Sequence, residues 1–270
     1  MIVKILKYIV VTVVGIIVLA ALIATPLIIK ARGEGERMYE KYDTYTKEVL
    51  AQKFDLKQHP IKPEYRKIHP WKALKLFKIL VHSQEGKKLA RVNNLDATMG
   101  LFMKMYTLLI RPNYNLNLPM FSVDIIFIGG KRVFVIEIID PAQIKDDNIK
   151  KHYALMKARM SEVEQFEHMD IEMDWCKDIV TDFSIHVNAE RADDDLLFDI
   201  YKTYLNAYLD MAQQAEPLSP EMSAKVQEGI EGYVTSLLEK GGPAVNVFKT
   251  LLGPEKQQEY VRTVMFGLDK

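Results

Sequence analysis

Two carboxylates inside one apolar stretch are the residues of this chain best placed to do chemistry. The stretch NLPMFSVDIIFIGGKRVFVIEIIDP, residues 117–141, carries Asp124 within one apolar run and Glu137 within a second, with Gly129 and Gly130 between them. Apolar and β-branched runs on either side of a Gly-Gly pair predict a β-hairpin. Side chains alternate across a strand, so Met120, Ser122, Asp124, Ile126 and Ile128 face one way and Phe121, Val123, Ile125 and Phe127 the other. Both faces are apolar, and both should be covered. A two- or four-residue loop over the glycines pairs position 124 with 135 or 137 and brings Asp124 and Glu137 to one face; a three-residue loop separates them. Carboxylates close together under an apolar layer have raised and coupled pKa values, which keeps a proton donor ready at neutral pH. The competing reading is a rim carboxylate tied to a Lys or Arg.

Such a hairpin needs neighbours on its edges and layers on its faces. The segments KLARVNNLDA and MGLFMKMYTLLI read as two preceding strands, with RPNYNLN as the loop into the hairpin, which gives an antiparallel meander of four strands. After Pro141 the apolar spacing turns helical through IKKHYALMKARMSEVEQFEHM. DFSIHVNAE is a further short strand, and His186 within it reads as a hydrogen-bonded sheet histidine. The acidic RADDD caps the helix LLFDIYKTYLNAYLDMAQQA. EPLSPEM breaks the chain, and another helix, a Gly241-Gly242-Pro243 break and an amphipathic segment to Phe266 follow.

Composition excludes several functions. The 270 residues hold 36 Lys plus Arg against 36 Asp plus Glu, so no basic excess marks a nucleic-acid partner. A single cysteine, Cys176, rules out an internal disulfide and any multi-cysteine metal or iron–sulfur site within one chain. His59 and His69 read as surface residues, His152 and His168 lack ligand spacing, and no metal site is expected. There is no P-loop, GxGxxG, GxSxG or HExxH.

The N-terminal segment has its own character. Residues 8–29 carry no charge, and about 20 apolar residues suffice for a helix to cross a bilayer. The run is longer than the roughly 7–15 residues of a signal-peptide core, which favours an uncleaved anchor over 1–30. A charged stalk and linker over 31–70 follows, broken by Pro60, Pro63 and Pro70, then a domain over 71–270 that opens with a short amphipathic helix, WKALKLFKILV. Lys30, Arg32, Arg37, Lys41 and Lys47 outnumber Lys4 and Lys7, which places the large domain in the cytoplasm.

Four collinear pieces, RPNYNLNLPMFSVDIIF, the strand ending in Asp140-Pro141, AEPLS at 215–219 and LLGPEKQQEYVRTVMF, resemble the ferredoxin-dependent bilin reductases, nearest the phycocyanobilin-forming branch, over residues 88–270. The resemblance implies an α/β/α three-layer sandwich with a central antiparallel sheet, joined here to the expected transmembrane helix. It implies a linear tetrapyrrole such as biliverdin held between sheet and C-terminal helices, and no tightly bound metal or flavin. Electrons would come from ferredoxin or a similar donor, and protons from protein side chains. Asp124 falls on the family's proton-donating aspartate. The departures are Met105 where a histidine is expected, Asn93 or Asn94 where a glutamate is, and Gly242 where a second aspartate is; methionine donates no proton. Met105, Asn93, Asn94 and Glu137 are thus the expected substrate-binding positions, Glu137 on the hairpin argument alone. The alternative function is a non-catalytic tetrapyrrole carrier at the membrane.

The orientation is testable with protease on intact cells. Protection of the large domain until the membrane is permeabilised is expected, and digestion from outside would refute the placement.

Overall fold

The computed structural model describes residues 2–69, 77–170 and 174–268, with the side chains of 2–24 and 244 outside the description. Its centre is an antiparallel sheet whose long strands run as a meander: β3 (Phe77–Glu85), β4 (Leu89–Met99), β5 (Met103–Pro112), β6 (Met120–Ile128) and β7 (Lys131–Ile139). The short strands β1 (Lys57–Gln58) and β2 (Lys67–Ile68) both pair with β3. At the other edge β8 (Glu167–His168) pairs with β9 (Ile185–Glu190), and β9 pairs with β7, while the one-turn helices α2 (Pro63–Arg66) and α4 (Met160–Val163) precede β2 and β8.

The meander is longer than the four strands expected. From Phe77 the segment predicted as an amphipathic helix is strand, burying Ile79, Val81 and Ser83 on alternate residues, while 70–76 lie outside the described residues. A run of lysines among apolar residues fits either period over so short a length.

Each face of the sheet carries its own core. Val92, Tyr106, Leu108, Ile110, Phe121, Val123, Ile125, Phe127, Phe134 and Ile136 pack against α1 (Ile2–Lys53), α3 (Asp147–Lys157) and α5 (Asp194–Gln214). Ile79, Val81, Leu95, Leu109, Met120 and Ile139 face α6 (Pro220–Lys240), α7 (Pro243–Leu252) and the turn Tyr260–Met265 beyond α8 (Pro254–Glu259). The expected three-layer order is therefore present. Local signals start these helices. Asp146 caps α3 by accepting from the Ile149 amide at 2.8 Å, and Ser219 caps α6 with Pro220 at its first position.

The loop pieces legible in sequence meet in space. Leu116 and Pro217 form a bridge, and the Leu218 amide donates to the Asn115 carbonyl at 2.8 Å, so RPNYNLN and AEPLS clamp one end of the sheet together.

The main departure concerns the stretch expected as a stalk. The second half of α1 belongs to the core: Tyr39, Tyr42, Thr46, Val49 and Leu50 are buried, at helical spacing that its many charges obscured. Thr46 Oγ1 lies 2.7 Å from the Tyr106 hydroxyl and 2.5 Å from that of Tyr201, which joins α1, β5 and α5 in one buried network. The acidic run before α5 also does more than cap it. Arg132, buried on β7, donates to both carboxylate oxygens of Asp194 at 2.6 and 2.8 Å and to Glu34 of α1 at 2.8 Å, while Lys41 reaches Asp195 at 2.9 Å. His59 and His69, expected on the surface, are half-buried, His59 lying 2.7 Å from Glu85.

Most of the apolar run expected to cross a membrane, 8–24 of 8–29, falls on residues whose side chains lie outside the description. Among the described residues no helix is long and apolar enough to cross a membrane. Leu27 and Ile29, at the described end of the run, are 64% and 65% exposed.

Arg132→Ala leaves Asp194 uncompensated where the guanidinium was buried and leaves Glu34 with Arg191 as its remaining arginine partner. A loss of about 3–5 kcal/mol is expected in denaturant unfolding; a loss under about 1 kcal/mol would show that α1 docks without this network.

Candidate functional site

The geometry of the site follows from one turn. Gly129 and Gly130 close β6 onto β7 as a two-residue loop, Gly129 at φ 57°, in the left-handed region that favours glycine. Asp124 is thereby opposite Val135, and Ser122 opposite Glu137. Asp124 and Glu137 share a face, as the shorter of the two permitted loops requires.

That register propagates sideways. Thr107 of β5 is opposite Asp124, and His186 of β9 is opposite Val135. Thr107, Asp124, Glu137 and His186 therefore line one face, the face that α6 to α8 cover only in part. Met105, Ser122, Ile126, Ile128, Val133 and Val135 around them are half-buried, whereas the facing positions on the other side of β6 and β7 are buried. The result is an apolar floor with a few polar groups, the composition of a site for a large, flat, mostly apolar ligand.

Asp124 is set up as an acid. Thr107 Oγ1 donates to its Oδ1 at 2.5 Å, which leaves Oδ2 to carry a proton. Burial pushes its pKa from 3.8 to about 6, the Thr107 hydrogen bond opposing this and Glu137 adding to it. The reading of a carboxylate tied to a Lys or Arg finds no support, since no such pairing involves Asp124 among the described residues. Tyr233 of α6 lies near the two carboxylates, its ring 5.6 Å from that of Trp175; burial first, then Glu137, raises its hydroxyl well above the ordinary tyrosine value. Burial likewise lifts the Cys176 thiol to about 11, so thiolate chemistry there is disfavoured.

Glu137 is not a bare second carboxylate. Its Oε1 lies 2.9 Å from His186 Nε2, and the two side chains are 13% and 12% exposed. His186 is a sheet histidine, as expected, and the alternation Ile185, His186, Val187, Asn188 turns it away from the apolar core. Which strand lies beside it was not legible.

The remaining candidates divide. Met105 is on the face of Asp124, opposite Ile126. Asn93 shares that face, but its Nδ2 donates to the Val264 and Met265 carbonyls at 2.9 and 2.7 Å and so fastens the C-terminal turn, together with Arg111, which donates to the Gly267 carbonyl at 2.9 Å. Asn94 points through the sheet to the other side, where the Tyr39 hydroxyl donates to its Oδ1 at 3.1 Å. It lies away from the Asp124 face. Gly242 is buried at the start of α7. Asp140, at the end of β7, accepts from the Tyr153 hydroxyl at 2.9 Å and from Lys145, a structural role. No group of His, Cys, Asp and Glu able to hold a metal is found among the described residues.

Known proteins share this sequence and architecture. The family model described as "Ferredoxin-dependent bilin reductase" matches residues 43–267. The phycoerythrobilin:ferredoxin oxidoreductase of Gloeobacter violaceus is 23% identical over 239 residues, covering 86% of this chain and 96% of that protein. Its counterpart from Nostoc punctiforme is 21% identical over 243 residues, covering 86% and 94%. These relatives bear the phycoerythrobilin name where the sequence pieces pointed to the phycocyanobilin branch. The phytochromobilin synthase from tomato, solved in complex with biliverdin, has a similar fold, with a TM-score of 0.72 over 85% of this chain and 83% of that one at 16% identity.

The folded carboxyl of Asp124 keeps its proton to about pH 6, whereas the unfolded chain releases it near 3.8. The folded state binds more protons in that window, so the stability this group contributes is present below it and is lost as pH rises through about 6. Unfolding free energies measured between pH 4 and pH 7 should fall by up to about 3 kcal/mol more in the wild type than in Asp124→Asn. Parallel profiles would show an unperturbed carboxyl.

Proposed function

We propose that this chain, which belongs to the ferredoxin-dependent bilin reductase family, reduces biliverdin or a related linear tetrapyrrole on the half-covered face of its sheet with Asp124 as a proton donor. As a member of that family it is an oxidoreductase acting on bilins. The observation that carries the residue-level reading is a half-buried carboxyl, held by Thr107 and pushed towards neutral pH, in the middle of an apolar floor.

The chemistry asks for little more than such a surface. A tetrapyrrole is flat and largely apolar, so Met105, Ile126, Val133 and Val135 supply contact area and exclude water from one side of it. Single electrons arrive from reduced ferredoxin, and the charge that each places on the ligand is relieved by a proton. Asp124 meets the requirement of a general acid whose pKa lies near the working pH. Thr107 orients it by occupying Oδ1. Met105, on the same face, contributes contact rather than a proton.

Attachment to a membrane through residues 8–29, with the large domain in the cytoplasm, is part of the same proposal. The uncharged run and the exposed Leu27 and Ile29 support it, and the docked half of α1 would then hold the domain close to the bilayer.

Asp124→Asn preserves shape and a hydrogen-bonding side chain and removes the transferable proton. With biliverdin and a reduced ferredoxin system under anaerobic conditions, binding should survive and turnover should fall by on the order of 10²-fold. Unchanged single-turnover reduction in this variant would remove Asp124 from the proton route. A spectral shift on mixing, with no further change on reduction of the wild type, would favour a carrier.

A further inference from the structure

Saturating a double bond takes two protons, and Asp124 supplies one. A second group is needed that reaches the same face, is not committed to holding the fold together, and can both give and regain a proton. Asn93 is spent on the C-terminal turn, Met105 is inert, Glu137 is turned to His186, and the Tyr233 hydroxyl is held protonated by burial. His186 meets all three conditions.

We infer that His186, oriented by Glu137, is the second proton donor to the bilin. The geometry carries this. Asp124, Val135 and His186 stand in one row across three neighbouring strands, so Asp124 and His186 are separated by two strand spacings, about 10 Å, on one face. A ligand lying across the strands over Val135 meets both. The contact of 2.9 Å from His186 Nε2 to Glu137 Oε1 assigns the Nε2 proton to the carboxylate partner and fixes the ring, which leaves Nδ1 towards the ligand; no hydrogen-bond partner for Nδ1 is found among the described residues. Among the described residues the other titratable groups near this pair are Asp124 from β6, Tyr233 from α6, Cys176 from the turn Asp174–Cys176 and Glu167, which β8 sets on the same face opposite Asn188. None of them offers a competing cation.

The step balances. Two reduced ferredoxins are each oxidised by one electron, one π bond of the bilin is lost and two bonds to hydrogen form. One proton leaves the Asp124 carboxyl and the other leaves Nδ1 of the His186 imidazolium. The carboxylate and neutral imidazole that result regain protons from solvent.

The inference rests on the bilin-reductase reading, and its test separates the two. Biliverdin is bound to full-length wild type, Asp124→Asn, His186→Gln and His186→Ala, and reduced ferredoxin is added anaerobically while the visible and electron paramagnetic resonance spectra are followed. His186→Gln is expected to bind biliverdin, to accept the first electron, and to complete the reduction on the order of 10²-fold more slowly while a bilin radical accumulates. Added imidazole should restore the rate in His186→Ala, which loss of a merely structural side chain would not allow. Completion at the wild-type rate in His186→Gln, alongside an active wild type, overturns the inference and leaves the reductase reading intact. A wild type that binds biliverdin and never reduces it overturns both. Should His186→Gln not fold, Glu137→Gln gives the same decision: slowed completion with biliverdin bound supports the relay, and an unchanged rate refutes it.

Discussion

The register of one hairpin governs this protein. Because Gly129 and Gly130 close the β6–β7 turn with two residues, Asp124 and Glu137 lie on the same side, and because β9 adds to β7 with His186 opposite Val135, the histidine lies there too. A slip of one residue would exchange the faces of β6. Asp124 would then face Tyr106 and Tyr201, in the densest part of the α1 and α5 layer, with no route to a ligand. Taken up by β7 instead, the slip would turn Arg132 away from Asp194 and Glu34. Placement of the acid and docking of the N-terminal helix are thus enforced together.

The two faces of the sheet are built for different ends. One is closed by α1, α3 and α5 with aromatic rings and a hydroxyl network, and it carries the larger core. The other is closed over β3, β4 and the start of β6 and gripped near Asn93 and Arg111, where side-chain donors hold the carbonyls of the C-terminal turn, and it loosens towards Asp124 and His186. A site that must admit a large planar ligand and still hold a carboxyl partly dry has to be covered unevenly. Burial is what raises the Asp124 pKa, and it comes from the floor and the Tyr233 side rather than from a sealed cavity.

Much of this was legible in the chain itself. The hairpin and its two-faced burial follow from alternation and glycine placement, which are local signals; the shared face of Asp124 and Glu137 depended on a loop length that the glycines left open, and the layer order came from the family resemblance. Three things were not. The helix that carries Tyr39, Tyr42 and Thr46 is rich in charge on its outer side, and its inner stripe looked like part of a stalk. The choice between Asn93 and Asn94 depends on strand register, and neighbouring residues on a strand point to opposite faces. The partner of His186 depends on which strands are adjacent, and β7 and β9 are separated in sequence by α3 and the turns after it. Long-range pairing of this kind leaves no spacing signature.

In the proposed complex a linear tetrapyrrole lies across β6, β7 and β9, over Val135. A crystal structure of the biliverdin complex tests this most directly. It should show the pyrrole rings on the half-covered face with Asp124 and His186 both within about 2.6–3.2 Å of the ligand. Biliverdin seated elsewhere, such as the groove between the end of α1 and β3–β4 that is lined by Lys47, His82 and Asn94 on the opposite face, would contradict it.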